Sequence, residues 1–164
     1  MTAGIIIADA SKYDIIDYKY YVVQEAVLEG GMFDDVLHVK GINEEKASQK
    51  IIGEKIIKFL IEHDVSSVFA YNAGFDRSCM PFLERFVWHD IMRVAAYRQY
   101  NSMIPSLAEC CKTGRLKRGY GVESMMRMLG NSGYIETHNA LLDARDELEI
   151  MRLIGRPLDD YPEM

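Results

Sequence analysis

Six residues near the middle of the chain, from Tyr71 to Asp76, combine polar groups that can bind a substrate with a glycine that permits a tight turn. They follow a short apolar run and precede a helical pattern, so the sequence predicts a strand, a turn and a helix here. Asp76 would lie near the helix N-terminus, where exposed N–H groups stabilise a carboxylate, and Gly74 would form the turn. Taken alone, an Asp in this place is more typical of a helix-capping residue than of an active-site acid.

A second group of candidate residues lies at the start of the last long helical pattern. His138 precedes that pattern, and Asp143 falls in its second turn, beside Ala144 on the predicted apolar face. The two side chains can therefore converge on one site, where a carboxylate at the edge of a buried face needs a partner such as a metal ion. The alternative is a solvated acidic helix. Three more acids follow in this segment: Asp146, Glu147 and Glu149.

Four cations lie within seven residues of an irregular segment, called the basic loop below: Lys112, Arg115, Lys117 and Arg118. The whole chain has 19 basic and 25 acidic residues, a net charge of −6, so its overall field does not attract nucleic acid. A local basic loop can still contact phosphates. A loop that is merely solvated explains the pattern equally well.

The secondary structure predicted around these candidate residues indicates an α/β fold. Residues 5–23 predict a β-hairpin, residues 36–39 allow one short strand, and residues 65–71 predict a strand buried on both faces. Helices are predicted over 43–62, 75–86, 89–100, 122–129 and 139–154. Asn43 is the expected N-cap of the first helix, and Pro81 is expected to strain or divide the second. Strands first, followed by strands mixed with helices, predict a single domain over all 164 residues.

The composition is that of a globular protein, with 49% hydrophobic and 27% charged residues, which excludes a disordered or low-complexity chain. No apolar run approaches the ~20 residues of a membrane span. The first residues lack the basic region of a secretory signal, so we expect a cytoplasmic protein without a membrane partner. Cys79, Cys110 and Cys111 show no metal-ligand spacing and are expected to be free thiols.

In order, spacing and context, the first two motifs resemble those of the DEDDh family of 3′–5′ exonucleases, which includes proofreading subunits, ribonuclease T and oligoribonuclease. Residues 68–76 resemble its second motif, Asn-x-x-Phe-Asp after a strand, and residues 138–143 its third, a His with an Asp five positions on. Residues 37–42, 89–95 and 121–130 resemble three further stretches of the family. The resemblance covers nearly the whole chain and implies a ribonuclease-H-like fold, with a mixed five-stranded sheet flanked by helices.

The resemblance also implies an activity and a role for each matched residue. Such enzymes release nucleoside 5′-monophosphates from the 3′ end of single-stranded DNA or RNA, using two Mg²⁺ or Mn²⁺ ions. Asp143 and Asp76 would be metal ligands, and His138 would deprotonate the attacking water. Asn72 and Phe75 would shape the pocket for the terminal nucleotide, and the basic loop is the candidate contact for substrate phosphates.

The first motif of the family, Asp-x-Glu on a strand, has no match near the N-terminus. In one alignment, residues 4–9 are the first strand, with Asp9 as the first acid and metal ligand and Ser11 in place of the Glu. In the other, residues 4–9 are the second strand, and the sequence starts after the catalytic strand. The hairpin pattern and the short separation of Asp9 and Gly41 (41 − 9 = 32 residues) favour the second alignment. A misassigned start and a real loss would produce the same sequence.

Two consequences follow from having two of the family's four acids. Mg²⁺ would bind weakly, since hard cations depend on the number and charge of their oxygen ligands, and this chain is expected to have little or no activity. The absence of a central strand would leave sheet edges open, which favours pairing with another chain, such as a homodimer. The alternative function is a non-catalytic protein that binds nucleic-acid ends or a protein partner. A structural module that carries the motifs by chance is disfavoured by their order and context.

Overall fold

The computed structural model describes residues 2–24 and 34–164, and the chain divides into two compact units. The first unit is Met1–Val65 with Thr137–Arg145, and the second is Ser66–Glu136 with Asp146–Met164. Strands and helices occur in both units, which confirms the mixed α/β class with a small mixed sheet flanked by helices. The expectation of a single domain stays a prediction.

The elements have the following bounds. The strands are β1 (Thr2–Ala8), β2 (Ile15–Val23), β3 (Glu44–Ala47), β4 (Ser67–Ala70) and β5 (Val87–Asp90). The helices are α1 (Asp34–Leu37), α2 (Gln49–Glu62), α3 (Gly74–Cys79), α4 (Met92–Ala95), α5 (Val122–Met128) and α6 (Ala140–Ile154). Short 3₁₀ turns occupy Pro81–Leu83 and Leu158–Asp160.

The first unit is built on a three-stranded sheet in the order β1–β2–β3. β1 pairs antiparallel with β2, which confirms the predicted hairpin, and β3 lies parallel to β2 with Tyr20 opposite Glu44. Within residues 2–24 and 34–164, β1 pairs only with β2, so β1 is an edge strand of this sheet.

Side chains along β2 alternate between the two faces of the sheet. On one face, the buried Tyr20 and Val22 pack with Leu141 from the first turn of α6. On the other face, Lys19 lies over the ring of Phe59 from α2, 5.8 Å from the ring centroid. α2 therefore lies over one face of β2 at Lys19, and the start of α6 lies over the other face at Tyr20 and Val22, whereas Ile16 near the beginning of β2 is 62% exposed.

Gly4 on β1 lies against the backbone at the start of α6. A Cβ atom added at Gly4 would overlap the backbone of Ala140 and Leu141. Glycine is therefore required here because the helix backbone lies directly on the strand, which fixes how α6 begins.

Two predictions in the first unit are wrong. Residues 44–47 form β3 instead of the first turn of a helix, so α2 begins at Gln49 and its N-cap is Ser48, not Asn43. Pairing with β2 overrides the local helical pattern, and the carboxylate of Glu45 bonds Lys55 at 2.6 Å on the helix that follows. The short strand expected at 36–39 is also wrong, because α1 occupies Asp34–Leu37.

The second unit contains the parallel pair β4 and β5, with Ala70 opposite Asp90. Only Ala70 of β4 is buried, so the prediction of a strand buried on both faces is wrong. The helix expected over 89–100 is wrong at both ends, because residues 89 and 90 end β5 and α4 covers only Met92–Ala95.

Two other predictions for this unit agree in part with the structure. Pro81 divides the predicted second helix into α3 and a 3₁₀ turn, and α5 ends at Met128, two residues before Gly130 with its positive φ of 120°. Trp88 on β5 is 2% exposed, and its indole N–H donates to the carbonyl oxygen of Leu83 at 3.2 Å.

Candidate functional site

The segment Tyr71–Asp76, called the 71–76 loop below, links the end of β4 to the first turn of α3, as the sequence predicts. Asn72 has a φ of 59°, in the left-handed region that Asn tolerates better than most residues. Asn72 is exposed, and the ring of Phe75 is 67% exposed. The turn therefore presents an amide side chain and an aromatic ring to solvent.

Two carboxylates hold the backbone of the 71–76 loop. Oδ1 of Asp90, at the end of β5, accepts hydrogen bonds from the N–H groups of Asn72 and Met92, both at 3.0 Å. Oε2 of Glu147 on α6 accepts one from the N–H of Tyr71 at 3.2 Å. These bonds fix the left-handed turn at Asn72, so its exposed side chain stands on a rigid backbone.

Asp76 lies in the first turn of α3 and is only partly exposed. Burial raises the pKa of its carboxyl group above the ordinary value, and the nearby charge of Asp90 raises it further. A backbone hydrogen bond opposes this shift of the pKa. The ionised form of Asp76 is therefore disfavoured in the folded unit, and a cation beside it would relieve that cost.

Tyr71 connects the 71–76 loop to Tyr120, which lies two residues after the basic loop. Its hydroxyl group donates a hydrogen bond to the carbonyl oxygen of Tyr120. Burial raises the pKa of the Tyr71 hydroxyl, with smaller contributions from the charges of Asp90 and Glu147. Tyr71 is therefore a neutral hydrogen-bond donor at physiological pH, and it positions residue 120 beside the loop.

The second candidate motif surrounds the N-terminus of α6 in the first unit. Asn139 is 2% exposed, and its Oδ1 accepts hydrogen bonds from the N–H groups of Leu141 at 3.1 Å and Leu142 at 3.3 Å. Its amide nitrogen donates to the Tyr20 hydroxyl at 3.0 Å and to the carbonyl oxygen of Val36 at 2.8 Å. Asn139 thus caps α6 and attaches it to β2 and α1.

His138 directly precedes Asn139, and Asp143 lies four residues after it, in α6. His138 is exposed and has a φ of 57°, an uncommon conformation for a residue other than glycine. The N–H of Asp143 donates to the carbonyl oxygen of Asn139 at 2.8 Å, and its charge contributes to the raised pKa of Tyr20, for which burial is the larger cause. The structure therefore places His138 and Asp143 at the beginning of one helix, as the sequence predicts.

Two of the four positive-φ residues other than glycine in the described ranges are the candidate residues Asn72 and His138. Strained backbone of this kind persists where surrounding contacts hold it, and it is enriched at functional sites. The coincidence supports both motifs as places where side-chain direction matters.

Asp9 follows β1 in the turn of the hairpin. Its Oδ1 accepts hydrogen bonds from the N–H and hydroxyl of Ser11, at 2.9 and 2.7 Å, and from the N–H of Lys12 at 2.7 Å. These bonds, that of the Ser11 hydroxyl first, lower the pKa of Asp9. Asp9 therefore has a structural task in the turn, and its assignment as a metal ligand stays a prediction.

The basic loop lies in the second unit, with Lys112, Lys117 and Arg118 exposed and Arg115 partly exposed. Asn72, Phe75 and Asp76 belong to the same unit, whereas Asp9, His138 and Asp143 belong to the first. Sequence reasoning missed the structural roles of Asp90, Glu147 and Asn139. The position of Asn139 directly before a helical pattern was the available indication of a cap.

The side chains that the structure describes do not form a metal centre. Across residues 2–24 and 34–164, no three His, Cys, Asp or Glu side chains are grouped so that they can hold a metal ion. A two-metal site requires several carboxylate oxygens, so the described residues do not fit such a site by themselves. No helix in these ranges is long and apolar enough to cross a membrane.

Comparison with known proteins returned no family model, no curated protein and no solved structure that matches this chain.

Proposed function

We propose that this chain is a nucleic-acid end-binding domain of the DEDDh 3′–5′ exonuclease type, with weak hydrolytic activity. The observation that carries the proposal is the 71–76 loop, which holds an exposed amide and an exposed aromatic ring on a rigid turn beside a partly buried carboxyl group. A terminal nucleotide offers a base that stacks on an aromatic ring and polar edges that an amide can bind.

The arrangement of strands supports the finer proposal of a ribonuclease-H-like fold. An antiparallel hairpin comes first in the chain, and the parallel pair β4 and β5 comes later, each strand of that pair leading into a helix. The mixed five-stranded sheet of that fold needs both kinds of pairing.

The proposed roles follow the motifs. By the resemblance, Asn72 and Phe75 would bind the 3′-terminal nucleotide, Asp76 and Asp143 would be two of the four acids that the family uses, and His138 would accept a proton from the attacking water. Because the described residues do not complete a metal site, we expect these groups to bind an end better than they cleave it.

The test is a 5′-labelled single-stranded oligonucleotide, as DNA and as RNA, incubated at high protein concentration with Mn²⁺. We expect a faint ladder that shortens from the 3′ end and is lost in Asp143→Asn and in Asp76→Asn. Asp159→Asn is the matched control, because Asp159 is an exposed acid of the second unit. A ladder that is unchanged in Asp143→Asn would contradict the assigned roles.

Because no three metal-ligating side chains are grouped together within residues 2–24 and 34–164, a second candidate is a non-catalytic protein that binds nucleic-acid ends. Fluorescence anisotropy with oligonucleotides that end in a 3′-hydroxyl or a 3′-phosphate separates the candidates. Preference for the 3′-hydroxyl without any ladder would favour the second candidate. Equal and weak binding of both ends would contradict both candidates.

A further inference from the structure

Positive charge is concentrated in one stretch of an otherwise acidic chain. Residues 97–122 contain five cations, Arg98 and the four of the basic loop, and a single acid, Glu109. The net charge of this stretch is 5 − 1 = +4, whereas the whole chain has a net charge of −6. A potential of opposite sign therefore exists locally, where it can attract a polyanion that the rest of the molecule repels.

The backbone of the basic loop is held in place by hydrogen bonds. Leu116 is 3% exposed, and its N–H donates to the carbonyl oxygen of Ala96 at 2.9 Å. The N–H of Lys117 donates to the carbonyl oxygen of Glu109 at 3.0 Å, and the N–H of Cys111 donates to that of Arg115 at 2.7 Å. The backbone on both sides of Leu116 is therefore fixed by hydrogen bonds.

The cations of this stretch differ in their contacts: some bond to other residues of the loop, and others are exposed to solvent. Arg98 donates to the carbonyl oxygens of Pro105 at 3.2 Å and Ala108 at 2.8 Å, so its charge supports the loop from within. Arg118 faces Glu109 at 3.5 Å, an exposed pair of little energetic value. Lys112 and Lys117 are exposed, and neither has an ion pair within residues 2–24 and 34–164.

The loop is attached to the proposed end-binding turn. The guanidinium of Arg115 lies over the ring of Tyr120, 5.3 Å from the ring centroid, and the carbonyl oxygen of Tyr120 accepts the hydrogen bond of the Tyr71 hydroxyl. Tyr71 is the first residue of the 71–76 loop. A chain of contacts within the second unit thus connects Tyr71 of the 71–76 loop to Arg115 of the basic loop.

We propose that the basic loop binds the phosphates that precede the 3′-terminal nucleotide, with Lys112 and Lys117 as the principal contacts. This inference rests on the proposed function, since it takes the 71–76 loop as the place of the terminal nucleotide. It selects the substrate class: single strands of several nucleotides bind both loops, whereas a dinucleotide binds the 71–76 loop alone.

The test compares the intact chain with Lys112→Gln/Lys117→Gln and with the control pair Lys40→Gln/Lys50→Gln. The control lysines are also exposed and carry the same charge. Binding of a single strand of about a dozen nucleotides, within the usual range of site sizes, is measured by anisotropy over a series of salt concentrations. Each phosphate contact contributes about 0.7 to the slope of log K against log salt, so losing both lysines should lower that slope by about 1.4.

We expect this change only for the long strand, with dinucleotide binding unaltered in all three proteins and the control pair behaving like the intact chain. An unchanged slope in Lys112→Gln/Lys117→Gln, while the 3′-hydroxyl is still preferred over a 3′-phosphate, would overturn this inference and leave the proposed function standing. Lysine-dependent binding that does not distinguish the two ends would contradict the proposed function, and would overturn the order of the strand along the two loops.

Discussion

The N–H of Asn72 donates to Oδ1 of Asp90 at 3.0 Å, and the same oxygen accepts the N–H of Met92. The Asp90 carboxylate, in a residue that is 4% exposed, therefore accepts a backbone hydrogen bond from the segment that follows each of the two parallel strands. Asp90 lies at the end of β5, the strand next to β4. The shape of the 71–76 loop therefore depends on the pairing of β4 with β5.

The first prediction concerns this bond. Asp90→Ala leaves two partly buried N–H groups without their acceptor, and we expect it to lower the free energy of unfolding by about 3 kcal/mol, at ~1–3 kcal/mol per unsatisfied group. Asp90→Asn retains an oxygen at the same place and should cost about 1 kcal/mol. Urea unfolding of both variants checks the order. Equal losses would show that the negative charge, not the acceptor oxygen, holds the turn.

The second prediction concerns pH. The pKa of Asp76 is raised above its ordinary value of 3.8, so the folded chain binds this proton more readily than the unfolded chain. The ionised carboxylate therefore destabilises the fold at neutral pH, and this cost disappears as the pH falls through the raised pKa and below 3.8. Asp76→Asn should stabilise the protein at neutral pH and have little effect below that range.

Urea unfolding at the two pH values measures this difference. Asp159→Asn, an exposed acid, is the control and should change stability at neither pH. A loss of stability in Asp76→Asn at neutral pH would mean that the charged carboxylate is needed by the fold itself.

The third prediction concerns the contact between β1 and α6. Gly4→Ala places a methyl group on the backbone of Ala140 and Leu141, which cannot move as a side chain end can. We expect a loss of about 3 kcal/mol or more in the free energy of unfolding, at the upper end of overpacking costs. Gly133→Ala is the control, because nothing lies within 4 Å of a Cβ there, and it should be neutral. Similar stability of the two variants would contradict the close approach.

The fourth prediction concerns the cap of α6. Asn139→Ala removes a cap worth about 1 kcal/mol and two further hydrogen bonds worth about 1 kcal/mol each, so a loss of about 3 kcal/mol is expected. Asn139→Asp keeps the capping oxygen but loses the donors to Tyr20 and Val36, and should fall between Asn139→Ala and the intact chain. Calorimetry or urea unfolding ranks the three proteins. A neutral Asn139→Ala would show that the cap does not position the start of α6.

Local patterns in the sequence were sufficient to predict several elements. The hairpin could be predicted because its alternation and turn residues lie within one short stretch, and Asp9 makes its bonds to Ser11 and Lys12 inside that turn. The strand–turn–helix around Gly74 could be predicted for the same reason.

Contacts distant in sequence were not available to that reasoning. Glu44 and Glu45 favour the first turn of a helix locally, but they pair with Tyr20 and Tyr21 in β3. Asp90 was expected within a helix, and only its parallel pairing with Ala70 places its carboxylate under the turn at Asn72. In both cases tertiary pairing decides the structure of a segment whose local preference is different.

The contact of Gly4 with Ala140 also constrains the order in which the protein can mature on the ribosome. The hairpin belongs to a unit completed only by Thr137–Arg145, and the other unit is completed only by Asp146–Met164. At roughly 5–20 residues per second, several seconds separate synthesis of the hairpin from synthesis of the helix that covers it. The first unit therefore cannot be completed before Thr137–Arg145 has been made, and the nascent chain keeps an incompletely covered hairpin until then.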